Sequence, residues 1–147
     1  MSSPTFSPLP RETTHILTRG VCRLFQHLGF GTLTEFRLSN GRRVDVMAMN
    51  PSGEFVIVEI KSTVADYRAD KKWHQYLPFC EQFYFAIPSG FPIKLVPSEC
   101  GVIMADSFDA VVRRESFSKV LSPKRKRHQL INFALTASSR LGRFETR

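Results

Sequence analysis

The sequence predicts an α/β fold: a mixed central β-sheet flanked by helices, with a further helix added at the C-terminal end. Three observations carry this. Apolar residues recur at helical spacing from Thr13 to Leu28. Three strand-like runs follow, separated by two loops that each end in glycine, Ser39-Asn40-Gly41 and Pro51-Ser52-Gly53. Beyond them come a helical segment, further strands and a last helix, the order of an α/β sandwich around a mixed sheet.

In the first helix Ile16, Leu17, Val21, Leu24, Phe25 and Leu28 form one apolar stripe. Thr13 or Thr14 can cap its start, and Gly29 suits a left-handed C-terminal residue. The strand-like runs are Thr32–Leu38, Arg43–Met49 and Phe55–Lys61. A three-residue hairpin loop needs a left-handed third residue, so glycine at that place predicts an antiparallel meander. Asp66–Leu77 is charged but helix-compatible, with Pro78 beyond its end. Gln82–Ile87 and Gly101–Ala105 read as strands and Ala110–Arg113 as a short edge strand. Ser122-Pro123 supplies an N-cap and first-turn proline for a helix to about Arg140, with Gly142 as its stop.

The chain has 147 residues, 42% of them hydrophobic, including 13 Phe. That length suits one domain over residues 1–147 with an aromatic core. The opening MSSPTFSPLP has neither the basic nor the apolar region of a signal peptide, and residues 1–10 are expected to be a flexible lead-in. No apolar run reaches the roughly 20 residues of a membrane span, so no membrane partner is expected. Cys22, Cys80 and Cys100 suit reduced thiols in a cytoplasmic protein. Cys80, Cys100 and His74 lack the paired spacing of a zinc site. Phosphate-loop, dinucleotide-binding and nucleophile-elbow motifs are missing too.

The net charge is +8, and its distribution is uneven. Residues 1–112 hold eleven Lys/Arg and eleven Asp/Glu, whereas residues 113–147 hold ten and two. The basic helical segment 118–147 thus points to a polyanionic partner, or to a well-solvated basic tail.

The third strand, FVIVEIKST from Phe55, is apolar until Glu59 and Lys61 arrive two residues apart on one face. If Pro51-Ser52-Gly53 is the loop, Asn50 pairs with Glu54 and Asp45 falls opposite Glu59. Opposed residues have Cβ atoms about 4.5–5.5 Å apart, close enough for two carboxylates to share a cation. The same rule at Ser39-Asn40-Gly41 puts Glu35 opposite Asp45. A two-residue Asn40-Gly41 turn would shift that register and turn Glu35 to the other face. Clustered acids imply a positive charge among them. Magnesium (or manganese), which takes hard oxygen ligands and keeps several waters, fits Asp45, Glu59 and the Ile60 carbonyl. Lys61 is placed to hold or polarise a water. Such a set can hydrolyse a phosphodiester.

Asp45 followed by Glu59-Ile60-Lys61 resembles the signature of the PD-(D/E)xK nucleases, whose core has the restriction-endonuclease-like αβββαβ order. The runs TEFRLSNGRRVDVMAMN, VIVEIKSTVADYRADKKWHQY and FCEQFYFAIP resemble the MmcB-type DNA repair proteins, over roughly residues 13–140. The resemblance implies a metal-dependent enzyme acting on DNA, with Asp45 and Glu59 as ligands, Lys61 as the catalytic amine and Glu35 as an accessory acid. Val44 stands where the superfamily's name has proline.

For the phosphate backbone the candidates are Arg42, Arg43, Lys71 and Lys72, and the KRKR run Lys124, Arg125, Lys126 and Arg127. Trp73 and Tyr76 suit core packing. The competing reading is a non-catalytic DNA-binding or partner-recruiting module on a nuclease-like scaffold. DNA is the expected partner, a homodimer or other repair proteins further candidates, and the cytoplasm or nucleoid the expected location.

Overall fold

A computed structural model of the chain describes residues 10–145, with side chains from residue 13 onward. The expected lead-in lies outside the described residues except for Pro10, which opens the first helix. Helix α1 (Pro10–His27) is followed by β1 (Gly31–Arg37), β2 (Arg43–Met49) and β3 (Phe55–Ile60). Then come α2 (Val64–Ala69), a 3-10 helix (Trp73–Phe79), β4 (Gln82–Ile87), a 3-10 turn (Ile93–Leu95), β5 (Gly101–Ala105), β6 (Ala110–Arg114) and α3 (Pro123–Glu145).

The six strands form one mixed sheet in the order β1-β2-β3-β4-β5-β6. The first three make the antiparallel meander, with Phe36 opposite Val44 and Met47 opposite Ile57. Gly41 and Gly53 close its two loops at φ +87° and +79°, values that glycine adopts without a Cβ penalty. Both registers are those of three-residue loops, so Glu35 stays level with Asp45. β4 joins β3 in parallel, β5 joins β4 in parallel, and β6 returns antiparallel with a register shift at Val102/Ile103.

Every residue of β3 is buried, as a central strand covered on both faces requires. On one face Leu17, Val21 and Phe25 of α1 pack over Val46, Val58, Ala86 and Ile103. On the other, Trp73, Tyr76, Phe79 and Phe133 cover Phe36, Phe55, Ile57, Phe83 and Phe85. Among the described residues no helix is long and apolar enough to cross a membrane.

Three helix predictions need correction. α1 begins at Pro10, so Thr13 and Thr14 lie within its first turns and neither caps its start. The segment Asp66–Leu77 is not one helix. Thr63 caps α2 by accepting the Asp66 N–H (3.1 Å), and the chain turns extended at Asp70 (ψ 113°). The 3-10 helix that follows contains Pro78. Trp73, Tyr76 and Phe79, all buried, are three apart, which is the period of a 3-10 helix. α3 does not stop at Arg140; it runs through Gly142 to Glu145. Glycine in a helix costs about 1 kcal/mol relative to alanine, too little to end one without a left-handed turn.

Candidate metal-and-phosphate site

The ladder between β2 and β3 stops at Val46 opposite Val58. At the next level the strands are joined by side chains instead of backbone carbonyls. Glu59 Oε1 accepts the Asp45 N–H (2.9 Å), and Asp45 Oδ2 accepts the Ile60 N–H (2.7 Å). Each carboxylate therefore grips the other residue's strand, and both stand where the strands part. The same level is irregular in β1: Glu35 has a left-handed backbone (φ +46°) and drops out of the β1–β2 ladder. A non-glycine residue there costs of order 1–3 kcal/mol, and such strain clusters at functional sites.

Glu59 is 5% exposed. Burial, reinforced by the neighbouring Asp45 charge, pushes its carboxyl up to about 8. Burial likewise raises Asp45. Two acids forced together in a low-dielectric site want a counter-charge, and side-chain donors here are hard oxygens alone, which fits magnesium or manganese better than zinc. Asp45, Glu59, Ile60 and Lys61 line one cavity of about 430 Å³. Among the described residues no three His, Cys, Asp or Glu side chains are gathered to hold a metal. The Glu35 charge adds to the rise of the Asp45 carboxyl, after burial and against the Ile60 N–H and Lys61. Glu35 is exposed, and shares a second cavity of about 630 Å³ with Asp45.

Lys61 reaches sideways to Asp70, Nζ to Oδ2 at 2.7 Å. Asp70 Oδ1 also accepts the Lys72 N–H (2.7 Å). Burial alone would raise the Asp70 carboxyl, but the Lys61 hydrogen bond and the Lys72 N–H outweigh it and hold it below the ordinary range. Asp70 reads in the sequence as one more solvated helix residue; no spacing rule ties it to Lys61.

The family model described as DNA repair protein MmcB-like matches residues 3–147. The chain belongs to the MmcB-like DNA repair family. Among solved structures, a Silicibacter pomeroyi protein of unknown function, SPO1766, has 36% identity to this MmcB-like chain. Its TM-score is 0.84, over 95% of this chain and 94% of that one. Pyrococcus furiosus SfsA, solved with Ca2+, has 13% identity and a TM-score of 0.41, over 73% of this chain and 65% of that one. No curated protein matches.

The expected phosphate-binding cations of the MmcB-like chain fall in separate places. Lys72 lines the Asp45–Glu59 cavity. Arg42 donates from Nε to Gln75 Oε1 (2.7 Å), and Arg43 and Lys71 are exposed. Two of the KRKR side chains are engaged in holding α3. Lys126 pairs with buried Glu81 and donates to the Gly53 carbonyl (2.5 Å), while the Arg125 guanidinium lies 4.2 Å over the Phe79 ring. Lys124 and Arg127 are exposed. The run sits beside Gly53, six residues before Glu59, which is about 20 Å along an extended strand. The other end of α3 is the one that reaches the acids' side of the sheet: Arg140 donates to the Glu35 carbonyl (3.1 Å).

Proposed function

We propose that this MmcB-like protein is a metal-dependent hydrolase of DNA phosphodiester bonds, of the PD-(D/E)xK type. The observation that supports it best is the cross-gripped pair Asp45 and Glu59 at the parting of β2 and β3, with Lys61 in the same cavity. Asp45, Glu59 and the Ile60 carbonyl are the groups to hold Mg2+ or Mn2+. When bound, the ion polarises a phosphate oxygen and lowers the pKa of a water.

The chain's own residues supply the rest. Lys61 carries N–H donors into the cavity to orient the attacking water and offset charge on the phosphate. Asp70, bonded to Nζ, is a positioning residue for that amine. Lys72, at the cavity wall, and the exposed Arg43 and Lys71 are the candidates for phosphate contacts; Arg42, tied to Gln75 through Nε, would use its outer nitrogens. Glu35, on the rim, acts as an accessory acid.

The test is cleavage of plasmid and oligonucleotide DNA with magnesium or manganese. Wild type is expected to cut, and Asp45→Asn and Lys61→Ala to lose about 100-fold or more, the usual loss on removing one electrostatic contributor. Equal inactivity of all three, with DNA binding kept, would instead identify a non-catalytic DNA-binding module.

A further inference from the structure

We propose that a groove leading from the Asp45–Glu59 cleft past α1 to the C-terminal end of α3 carries single-stranded DNA, with Arg19, Arg140 and Arg143 on its phosphates and Phe144 stacked on a base. The cleft end of this track rests on the hydrolase reading above.

Three cavities adjoin through shared walls. The one holding Glu59 and Lys61 shares Thr14 and Asp45 with its neighbour of about 630 Å³. That neighbour brings in His15 and Arg19 from α1, and shares Thr34 and Glu35 with a third cavity of about 440 Å³. The third is walled by Arg140, Arg143 and Phe144 of α3. The path thus leaves an acidic centre suited to a metal, with Asp45 in the shared wall, and enters a stretch lined by the guanidiniums of Arg19, Arg140 and Arg143 and by the Glu35 carboxylate.

A helix C-terminus favours cations by itself, which would account for Arg143 alone. It gives no reason for Phe144, 82% exposed in the same cavity wall. An aromatic face beside guanidiniums in a groove is how sequence-tolerant single-strand sites are built, because every base has a face to stack. In a duplex those faces are already covered by neighbouring bases, leaving only phosphates to bind. That chemistry selects an unpaired strand.

The experiment is fluorescence anisotropy in EDTA, where cleavage plays no part, with labelled oligothymidine and a duplex of equal length. Arg19→Ala and Arg143→Ala are each expected to weaken oligothymidine binding several-fold and to flatten its log–log salt dependence by about 0.7 per lost phosphate contact. Phe144→Ala should weaken the single strand by about tenfold while leaving the duplex unchanged, and Phe144→Trp should retain binding. Lys94→Ala, exposed and lining none of the three cavities, should matter little, and Lys124→Ala/Arg127→Ala carries the rival reading in which the start of α3 binds the DNA. Arg19 and Phe144 are exposed, so their truncation leaves the core intact. The track is overturned by no wild-type binding, by Phe144→Ala weakening both DNAs alike, or by loss in the Lys124/Arg127 variant with none at Arg19 and Arg143. Failure of cleavage with this binding pattern intact would sink the hydrolase reading and leave the track; cleavage without the pattern would do the reverse.

Discussion

Lys126 shows how neighbours decide what a charge is for. In the sequence it is one of four adjacent cations that wrap around a helix, and nothing there says which of them faces inward. In the fold its ammonium meets Glu81 and the Gly53 carbonyl and lies 5.3 Å from the Phe55 ring centroid. Glu81 is 7% exposed and also accepts the Phe55 N–H (2.6 Å). Removing the amine leaves that carboxylate buried without its partner. Lys126→Ala should therefore lower unfolding free energy by about 1–3 kcal/mol in urea titration, the scale for leaving a buried acceptor without its partner when that partner was half-buried. Arg127→Ala, one residue on but exposed, should stay within about 0.5 kcal/mol. The same blindness to long-range pairing hides Asp70. Its tie to Lys61 depends on where α2 ends, and no local pattern states that.

At the scale of elements, what was legible followed from backbone chemistry and what was not followed from packing. Gly41 and Gly53 betray their hairpins because few other residues accept that backbone. Their loop lengths set the registers that bring Asp45 to Glu59. The single helix expected over Asp66–Leu77 failed because spacings of three and of 3.6 are hard to tell apart over seven residues. Burial of Trp73, Tyr76 and Phe79 against Phe83 and Phe85 decides for the tighter turn. Gly101 has a role of the same hidden kind. A Cβ there would fall 2.2 Å from the Tyr84 ring, on the adjacent parallel strand. That ring is confined, since it lies against Phe25 and its hydroxyl donates to Glu115 (2.6 Å). Gly101→Ala should cost about 1–3 kcal/mol of stability by overpacking, and thermal melting should show it. Gly31→Ala, with open space around it, should have little effect.

Across the whole molecule the basic excess and the acidic pair are complementary parts of one argument. The composition showed that the last 35 residues are basic, but not that α3 is anchored at its start and meets the Glu35 backbone with its far end. The fold also keeps two carboxyl groups raised by burial, at a cost to its own stability when both are charged without a counter-ion. A cation that binds the native state alone adds RT ln(1 + [M]/Kd), about 1.4 kcal/mol at ten times Kd. For a domain of this size that raises the melting temperature by about 3–5 °C. Magnesium or manganese should produce such a rise in wild type. Because Glu59 holds its proton up to about 8, the ion must displace it, so the rise should shrink as pH falls below 8 and level off above it. Asp45→Asn should abolish the rise yet melt higher than wild type in EDTA above pH 8, where Glu59 is charged, since it removes half of a like-charged pair and keeps an oxygen for the Ile60 N–H. Glu35→Gln, outside the pair, should keep most of the metal response. If Asp45→Asn instead melts lower in EDTA and still responds to metal, the pair is a structural clasp between β2 and β3 and the ion binds elsewhere.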